Sequence, residues 1–175
     1  MLRTPAFLFL AGLLVLAGCA RQRDDTPRVT ATVPERVPKI ARLAPDFGIQ
    51  SASVRSSRGL RGQAVVLIIA DSPKTKAFRK QLKKLTDGYS EFASRQTVFV
   101  AAFRSGTGPV ESNVPFALAT NGVAVAGAYG VRDDMNVVII GPDGNVDYQT
   151  DKVLPAGRIR DVIQNSYSVQ ESRRK

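Results

Sequence analysis

Residues 64–70 read Ala-Val-Val-Leu-Ile-Ile-Ala, an unbroken apolar run with polar residues on both sides. A run of that length without alternation predicts a strand buried on both faces at the centre of a sheet. Asp71, Ser72 and Pro73 follow, and predict a capping side chain with proline at the first helical position. From Lys74 the period becomes helical. Phe78, Leu82, Leu85 and Tyr89 then share one face, and Lys76, Arg79, Lys80 and Lys83 share the opposite one. Residues 97–103, Thr-Val-Phe-Val-Ala-Ala-Phe, predict a second buried strand. Strand, helix, strand at this spacing implies a right-handed parallel crossover.

Gly106, Gly108, Pro109 and Pro115 mark residues 104–119 as an irregular connection, after which Asn121 caps a short helix running to Tyr129. Residues 137–140 are a third apolar strand. Gly141-Pro142-Asp143-Gly144-Asn145 suits a type I turn with glycine in the left-handed position, so residues 146–150 return as an antiparallel partner. Val146 and Tyr148 alternate with Asp147 and Gln149, as on an edge strand with one wet face. Pro155 opens a last helix whose inward stripe is Ile159, Val162, Ile163 and Tyr167. The pattern predicts one α/β domain over residues 40–169 and a basic tail at 170–175. Its central mixed sheet has four to five strands, with the strand at 137–140 antiparallel to the first two.

Ahead of the domain, Arg3 precedes a nearly uninterrupted apolar stretch over residues 6–15, which closes on Leu16-Ala17-Gly18-Cys19. The stretch is too short for a spanning helix and reads as a secretory signal over residues 1–18. A signal ending in Leu-Ala-Gly-Cys resembles the lipobox of bacterial lipoproteins. The resemblance implies cleavage between Gly18 and Cys19, diacylglycerol on the Cys19 sulfur and an acyl chain on the new amino group. Several acyl chains, at ~0.8 kcal/mol per buried methylene, anchor stably where one does not. Residues 19–39 carry Pro27, Pro34 and Pro38 among mixed charges and little apolar surface, the composition of a flexible tether. The expected location is the cell envelope, lipid-anchored and facing the periplasm. Ala20 stands where many proteobacterial lipoproteins held at the inner membrane have aspartate, so the outer membrane is preferred.

Loss of Arg3 with the signal lowers the net charge from +10 to +9. A basic surface beside a membrane suits anionic partners. The expected partners are therefore membrane lipid through the acylated N-terminus, and an envelope protein or an anionic cell-wall polymer. Nucleic acid is not expected, because an exported lipoprotein does not meet it. Cys19 is the only cysteine, and the chain has no histidine and no tryptophan. With Cys19 acylated, thiol exchange, Cys or His metal sites and imidazole-dependent triads are all excluded. No cofactor, metal or catalytic residue is expected.

Several segments of the domain carry a second resemblance. Ala44-Pro45-Asp46-Phe47, then residues 60–67 (Leu-Arg-Gly-Gln-Ala-Val-Val-Leu), then Tyr129-Gly130-Val131-Arg132 ahead of the strand at 137–140, come in that order. Together they resemble the thioredoxin-like redoxin and peroxiredoxin families over residues 40–167. The resemblance implies the thioredoxin-like fold. It also implies that the family's redox cysteines belong at the start of the first helix, where the helix dipole favours a thiolate. Here that segment reads Ser72-Pro73-Lys74-Thr75-Lys76-Ala77. Ungapped alignment places the cysteine positions at Lys74 and Ala77, and a one-residue gap places them at Pro73 and Lys76. The family's cis-proline position falls on Met135, where a cis bond costs ~3 kcal/mol, so a trans peptide is expected. A scaffold without its redox elements implies a binding or scaffold module, and a chain that is not an enzyme. Two alternatives remain: a non-thiol enzyme on the same scaffold, and a structural spacer associated with the cell wall.

Other motifs read as structure. Asp143-x-Asn145-x-Asp147 opens like a calcium loop, but Tyr148 stands at the glycine position and Leu154 at the closing glutamate. Ser72 with Lys76 could form a serine–lysine pair, though serine before proline at a helix start is a cap. Residues 104–108 lack the Lys-Ser/Thr of a phosphate-binding loop. Asp133 and Asp134 are adjacent and would point apart on an extended segment. The basic face of Lys76, Arg79, Lys80 and Lys83 is either a solvated surface or a docking surface for a membrane or an acidic partner.

Overall fold

A computed structural model describes residues 42–51, 53–92, 96–105 and 108–166. The predicted signal, Cys19, the tether, Tyr167 and the basic tail lie outside the described residues. The apolar runs become the middle of the molecule. β2 (Ala64–Ala70) is buried along its whole length and lies between β3 (Thr97–Phe103), parallel to it, and β5 (Met135–Ile140), antiparallel to it. Both faces of such a strand must be covered, and they are.

Side chains of one parity, including Val66, Ile68, Phe99, Val137 and Ile139, pack beneath α1 (Lys76–Asp87) and α3 (Ala156–Gln164). Those of the other parity, including Val65, Leu67, Ile69, Val100 and Val138, pack beneath α2 (Gly122–Ala128) and the segment around Phe47. Unbroken burial along β2, with successive side chains pointing to opposite faces, thus reports two cores rather than one.

Among the described residues the sheet has six strands, in the order β1 (Ile49–Gln50), β4 (Phe116–Ala119), β3, β2, β5 and β6 (Val146–Thr150). The sheet thus exceeds the expected four to five strands, and the two that the sequence did not place are β1 and β4. β4 lies inside the stretch read as an irregular connection. It is only four residues long and starts directly after Pro115, so its sequence carries no period and opens on a breaker. Pairing parallel with β3 and antiparallel with β1 makes it a strand. The strand at 137–140 runs antiparallel to β2, as expected, and extends back to Met135.

The turn after β5 forms as its residues require. Gly144 takes a φ of 83°, its N–H reaches the Gly141 carbonyl at 2.9 Å, and β6 (Val146–Thr150) returns antiparallel. β6 is an edge strand, as expected, but it lacks the expected wet face, because all five of its residues are half-buried. Arg42 and Leu43 bond along its outer edge, Gln149 donates to the Tyr129 carbonyl, and Arg158 lies over the Tyr148 ring. Asn121 caps α2 as expected, its Oδ1 accepting from the Ala124 N–H at 2.9 Å. α3 starts one residue later than expected, with Pro155 as its N-cap.

Among the described residues, no helix is long and apolar enough to cross a membrane.

Candidate functional site

β2, β3 and β4 run parallel, so their C-terminal ends meet at one edge of the sheet, where β5 begins. The crevice outside the carboxyl ends of parallel strands is where folds of this kind place ligands and chemistry. Four connections converge there, carrying Asp71 to Thr75, Arg104 and Ser105, Thr120 and Asn121, and Asp133 and Asp134.

The helix does not start where the sequence suggested. Ser72 is not its cap and Pro73 is not its first residue; α1 begins at Lys76 with Thr75 as N-cap. The cause is a turn closed by the Thr75 N–H donating to the Ser72 carbonyl at 3.1 Å. The Thr75 hydroxyl is drawn back to accept from the Ser72 N–H at 3.1 Å, and its Oγ1 lies 3.4 Å from Ser72 Oγ. It therefore makes no side-chain cap to α1. Proline with its fixed φ suits the second position of such a turn as well as it suits a helix start.

The two pairs of aligned cysteine positions fall on different surroundings. Lys74 and Lys76 are exposed, Pro73 is half-buried, and Ala77 packs against the aromatic core. Met135 is 1 % exposed and sits within the same core as Phe78. Its peptide bond is trans. No base touches the Ser72 hydroxyl among the described residues: its neighbour is Thr75, and Lys76 points to solvent.

Sequence reasoning missed the group that organises this edge, Arg104. Its Nη2 lies 2.6 Å from Asp71 Oδ1 and donates to the Asp133 carbonyl, also at 2.6 Å. Its own N–H bonds the last carbonyl of β2, that of Ala70, at 2.9 Å. Ser105 adds two bonds to the Asp71 carbonyl, from its N–H at 2.7 Å and its hydroxyl at 3.1 Å, while the Asp71 N–H reaches the Asp134 carbonyl at 3.2 Å. One guanidinium thus ties the ends of β2 and β3 to the approach to β5. Asp133 and Asp134 enter through their carbonyls, and both are exposed. A signal was present in the sequence: Asp71 and Arg104 stand one residue beyond the last register pair of the two parallel apolar strands, Ala70 and Phe103. Asn136, 6 % exposed and opposite Ile69, was missed as well; its Oδ1 has no partner among the described residues.

The basic face of α1 is present as read. Lys76, Arg79, Lys80 and Lys83 are exposed, with Lys84 beside them, and no acidic side chain lies in the first turn. Lys83 pairs along the helix with Asp87, at 3.1 Å. Gln81 interrupts the inward face: it is fully buried, its amide donating to the Leu154 carbonyl at 2.9 Å and accepting from the Leu154 N–H at 2.7 Å.

Two further motifs are structural. Asp143 spends both carboxylate oxygens on Asn145, on its N–H at 3.0 Å and its amide at 2.8 Å, which closes the β5–β6 turn. Asp46 is pushed up by burial, but hydrogen bonds from Ser57 and Ser56 and the Arg58 guanidinium outweigh this and hold its carboxyl below the ordinary value. The Ala44–Phe47 and Tyr129 motifs meet in space. The Tyr129 hydroxyl donates to the Pro45 carbonyl at 3.0 Å, and burial raises the phenol well above its usual range.

No family model and no curated protein matches this sequence. Solved structures do match. The reduced 2-Cys peroxiredoxin of Plasmodium vivax is 15% identical, with a TM-score of 0.57 over 76% of this chain and 97% of that one. Peroxidoxin BcpB of Mycobacterium tuberculosis is 17% identical, with a TM-score of 0.54 over 71% and 95%. The thioredoxin domain of a thiol-disulfide oxidoreductase of Bacteroides vulgatus is 12% identical, with a TM-score of 0.55 over 71% and 94%. These neighbours correct the expectation that the chain is not an enzyme, since the proteins sharing its architecture are thiol-redox enzymes. At such identity the likeness carries the fold: this is a mixed α/β chain with a thioredoxin-like fold, six strands flanked by three helices.

Proposed function

We propose that the chain is a lipid-anchored protein of a bacterial cell envelope whose thioredoxin-like domain acts as a binding or scaffold module. The observation that carries this reading is the Arg104 clamp. At the sheet edge where the neighbours' fold offers a crevice, Arg104 spends its charge on Asp71 and Asp133, over a buried Met135. What faces outward there is the start of α1, with its basic face. The lipobox-like Leu16-Ala17-Gly18-Cys19 supports the anchor, a position facing the periplasm and, through Ala20, the outer membrane. The partner is anionic in chemistry: membrane lipid, an acidic envelope protein or a cell-wall polymer.

A second reading is favoured by the neighbours' names: a thiol-redox enzyme. Cys19 is the chain's only cysteine, so such chemistry runs through it. One experiment separates the two. Wild-type and Cys19→Ser chains are compared for fatty-acid incorporation and for turnover of a protein disulfide and of peroxide. Fatty acid lost on substitution, with no cysteine-dependent turnover, supports the anchored module. Turnover that disappears with Cys19 supports the redox reading and overturns the first. Retention of fatty acid by the Cys19→Ser chain would sink the anchor.

A further inference from the structure

We propose that the exposed face of α1 docks on an anionic bilayer, so that the domain lies against the membrane that holds its lipid. The inference rests on the anchored reading above and names the partner of the α1 face. Five of the twelve residues of α1 are basic (Lys76, Arg79, Lys80, Lys83 and Lys84), against one acid, Asp87, at the far end. A helix of that length presents a stripe of ~18 Å. Lysine at the first helical position opposes the helix dipole, an arrangement that local stability does not favour.

The shape of the face selects the occupant. Two concavities among the described residues lie elsewhere: one of about 310 Å³ is lined by Phe47, Thr120, Ala124 and Ala128, and another by Ala44, Arg61 and Gly144. Neither includes an α1 residue. A peptide partner needs a groove or a free strand edge to hold it, whereas a lipid surface needs only an outward, flat array of cations. The same layer carries Arg158 and Arg160 on α3, with Arg160 paired to Glu91 and Asp161. The outer face of α2 has no charge at all. On the α2 side of the sheet the exposed cations are scattered on loops, Arg55, Arg58 and Arg61 around Leu60 with Arg58 paired to Asp46, so the unbroken basic stripe is that of α1. Residues 20–41 separate Cys19 from Arg42, ample length for α1 to reach the bilayer in which Cys19 is anchored.

Each basic group near an anionic surface contributes ~1 kcal/mol, about a fivefold change in equilibrium. The test uses the full chain purified from bacterial membranes and placed in vesicles of phosphatidylcholine, or of phosphatidylcholine mixed equally with phosphatidylglycerol. Molecules that float with the vesicles are treated briefly with a membrane-impermeant amine reagent, and labelling is read lysine by lysine. In anionic vesicles at low salt, Lys76, Lys80 and Lys83 are expected to react about fivefold more slowly than in neutral vesicles, and Lys152 at an unchanged rate. At about 1 M salt, where the screening length is ~3 Å, the difference should vanish. The double variant Arg79→Gln/Lys80→Gln should lose most of the protection at Lys76 and Lys83.

Equal labelling in both vesicles, or equal slowing of Lys152, overturns the docking face while the anchor stands. Flotation only with anionic vesicles overturns the anchor and supports the docking. Flotation with neither overturns both.

Discussion

The two faces of the sheet share β2, yet they are built from different materials. Under α1 and α3 lies an aromatic core. Phe78 meets Phe103 edge-on at 5.1 Å, and Phe92 meets Phe99 edge-on at 5.3 Å, with Phe116 tilted against both Phe78 and Phe99. Outside that core, α1 is a row of cations. Under α2 the core is mostly aliphatic, with one ring pair, Phe47 and Tyr129 at 6.4 Å, and outside it Val123 is 62% exposed beside Ala124, Gly127 and Ala128, without a charge. Gly122 lets α2 approach β3 so closely that a Cβ there would lie 1.9 Å from the Phe103 carbonyl oxygen. The face with the aromatic core is the one whose outer helix carries the row of cations.

If that contrast is real, truncation should cost more on the aromatic side. Phe78→Ala removes a fully buried ring that touches two others, and should lower unfolding free energy by about 3–5 kcal/mol. Val125→Ala on α2 removes two methyl groups from a residue 3% exposed and should cost about 1–2 kcal/mol. Urea denaturation of both variants gives the comparison. Equal losses would mean that the two cores contribute alike.

Gln81 sharpens the picture of how the aromatic layer is locked. It stands in the buried stripe of α1 and answers both backbone groups of Leu154, as a paired strand would. Gln81→Ala leaves that N–H and carbonyl without their partner, at about 1–3 kcal/mol for each buried group. A total loss of about 2–4 kcal/mol is expected, with faster amide exchange at Leu154 as the local signature. Unchanged exchange there would show that water replaces the side chain.

These residues mark the limit of what the sequence discloses. Long apolar runs over 64–70 and 97–103 are legible because burial on both faces needs unbroken apolarity, and the positions of β2 and β3 follow. Asn121 and Gly144 are legible because a cap and a left-handed turn admit few residue types. β4 is not, because four residues set no period and their pairing is decided by β3 and β1. The start of α1 is misplaced because Ser72, Pro73 and Thr75 suit a turn and a helix cap equally, and only tertiary contacts choose. Gln81 is hidden by its polarity, since its partner lies 73 residues away. The basic stripe of α1 is fully legible in the helical period, whereas the Arg104 clamp is long-range and left only a charge pair at matching strand ends.

Arg104→Ala should cost about 1–3 kcal/mol. Its ion pair with Asp71 is partly solvated, with side-chain exposures of 22% and 43%, so most of the loss comes from the Asp133 carbonyl and the tie between strand ends. Asp71→Asn, which keeps an acceptor for the guanidinium, should cost less than half as much. If the two variants are equally destabilised, the charge and not the tie is what matters at this edge.

The smallest expected effect is a gain, and it tests the claim that the outer side of α2 is uncommitted. Gly127 lies within α2, is exposed, and has nothing within 4 Å of where a Cβ would stand. Glycine inside a helix costs the unfolded-to-folded transition more backbone entropy than alanine does, so Gly127→Ala should stabilise the domain by about 0.5–1 kcal/mol. The same substitution at Gly122, against the Phe103 backbone, should destabilise it, because a helix packed this closely must shift to admit a methyl group. Thermal unfolding of the two single variants reads the signs directly. Opposite signs within one seven-residue helix would place its constraint wholly on the sheet side. A loss at Gly127 as well would mean that the outer face of α2 is pressed against something and is not free to vary.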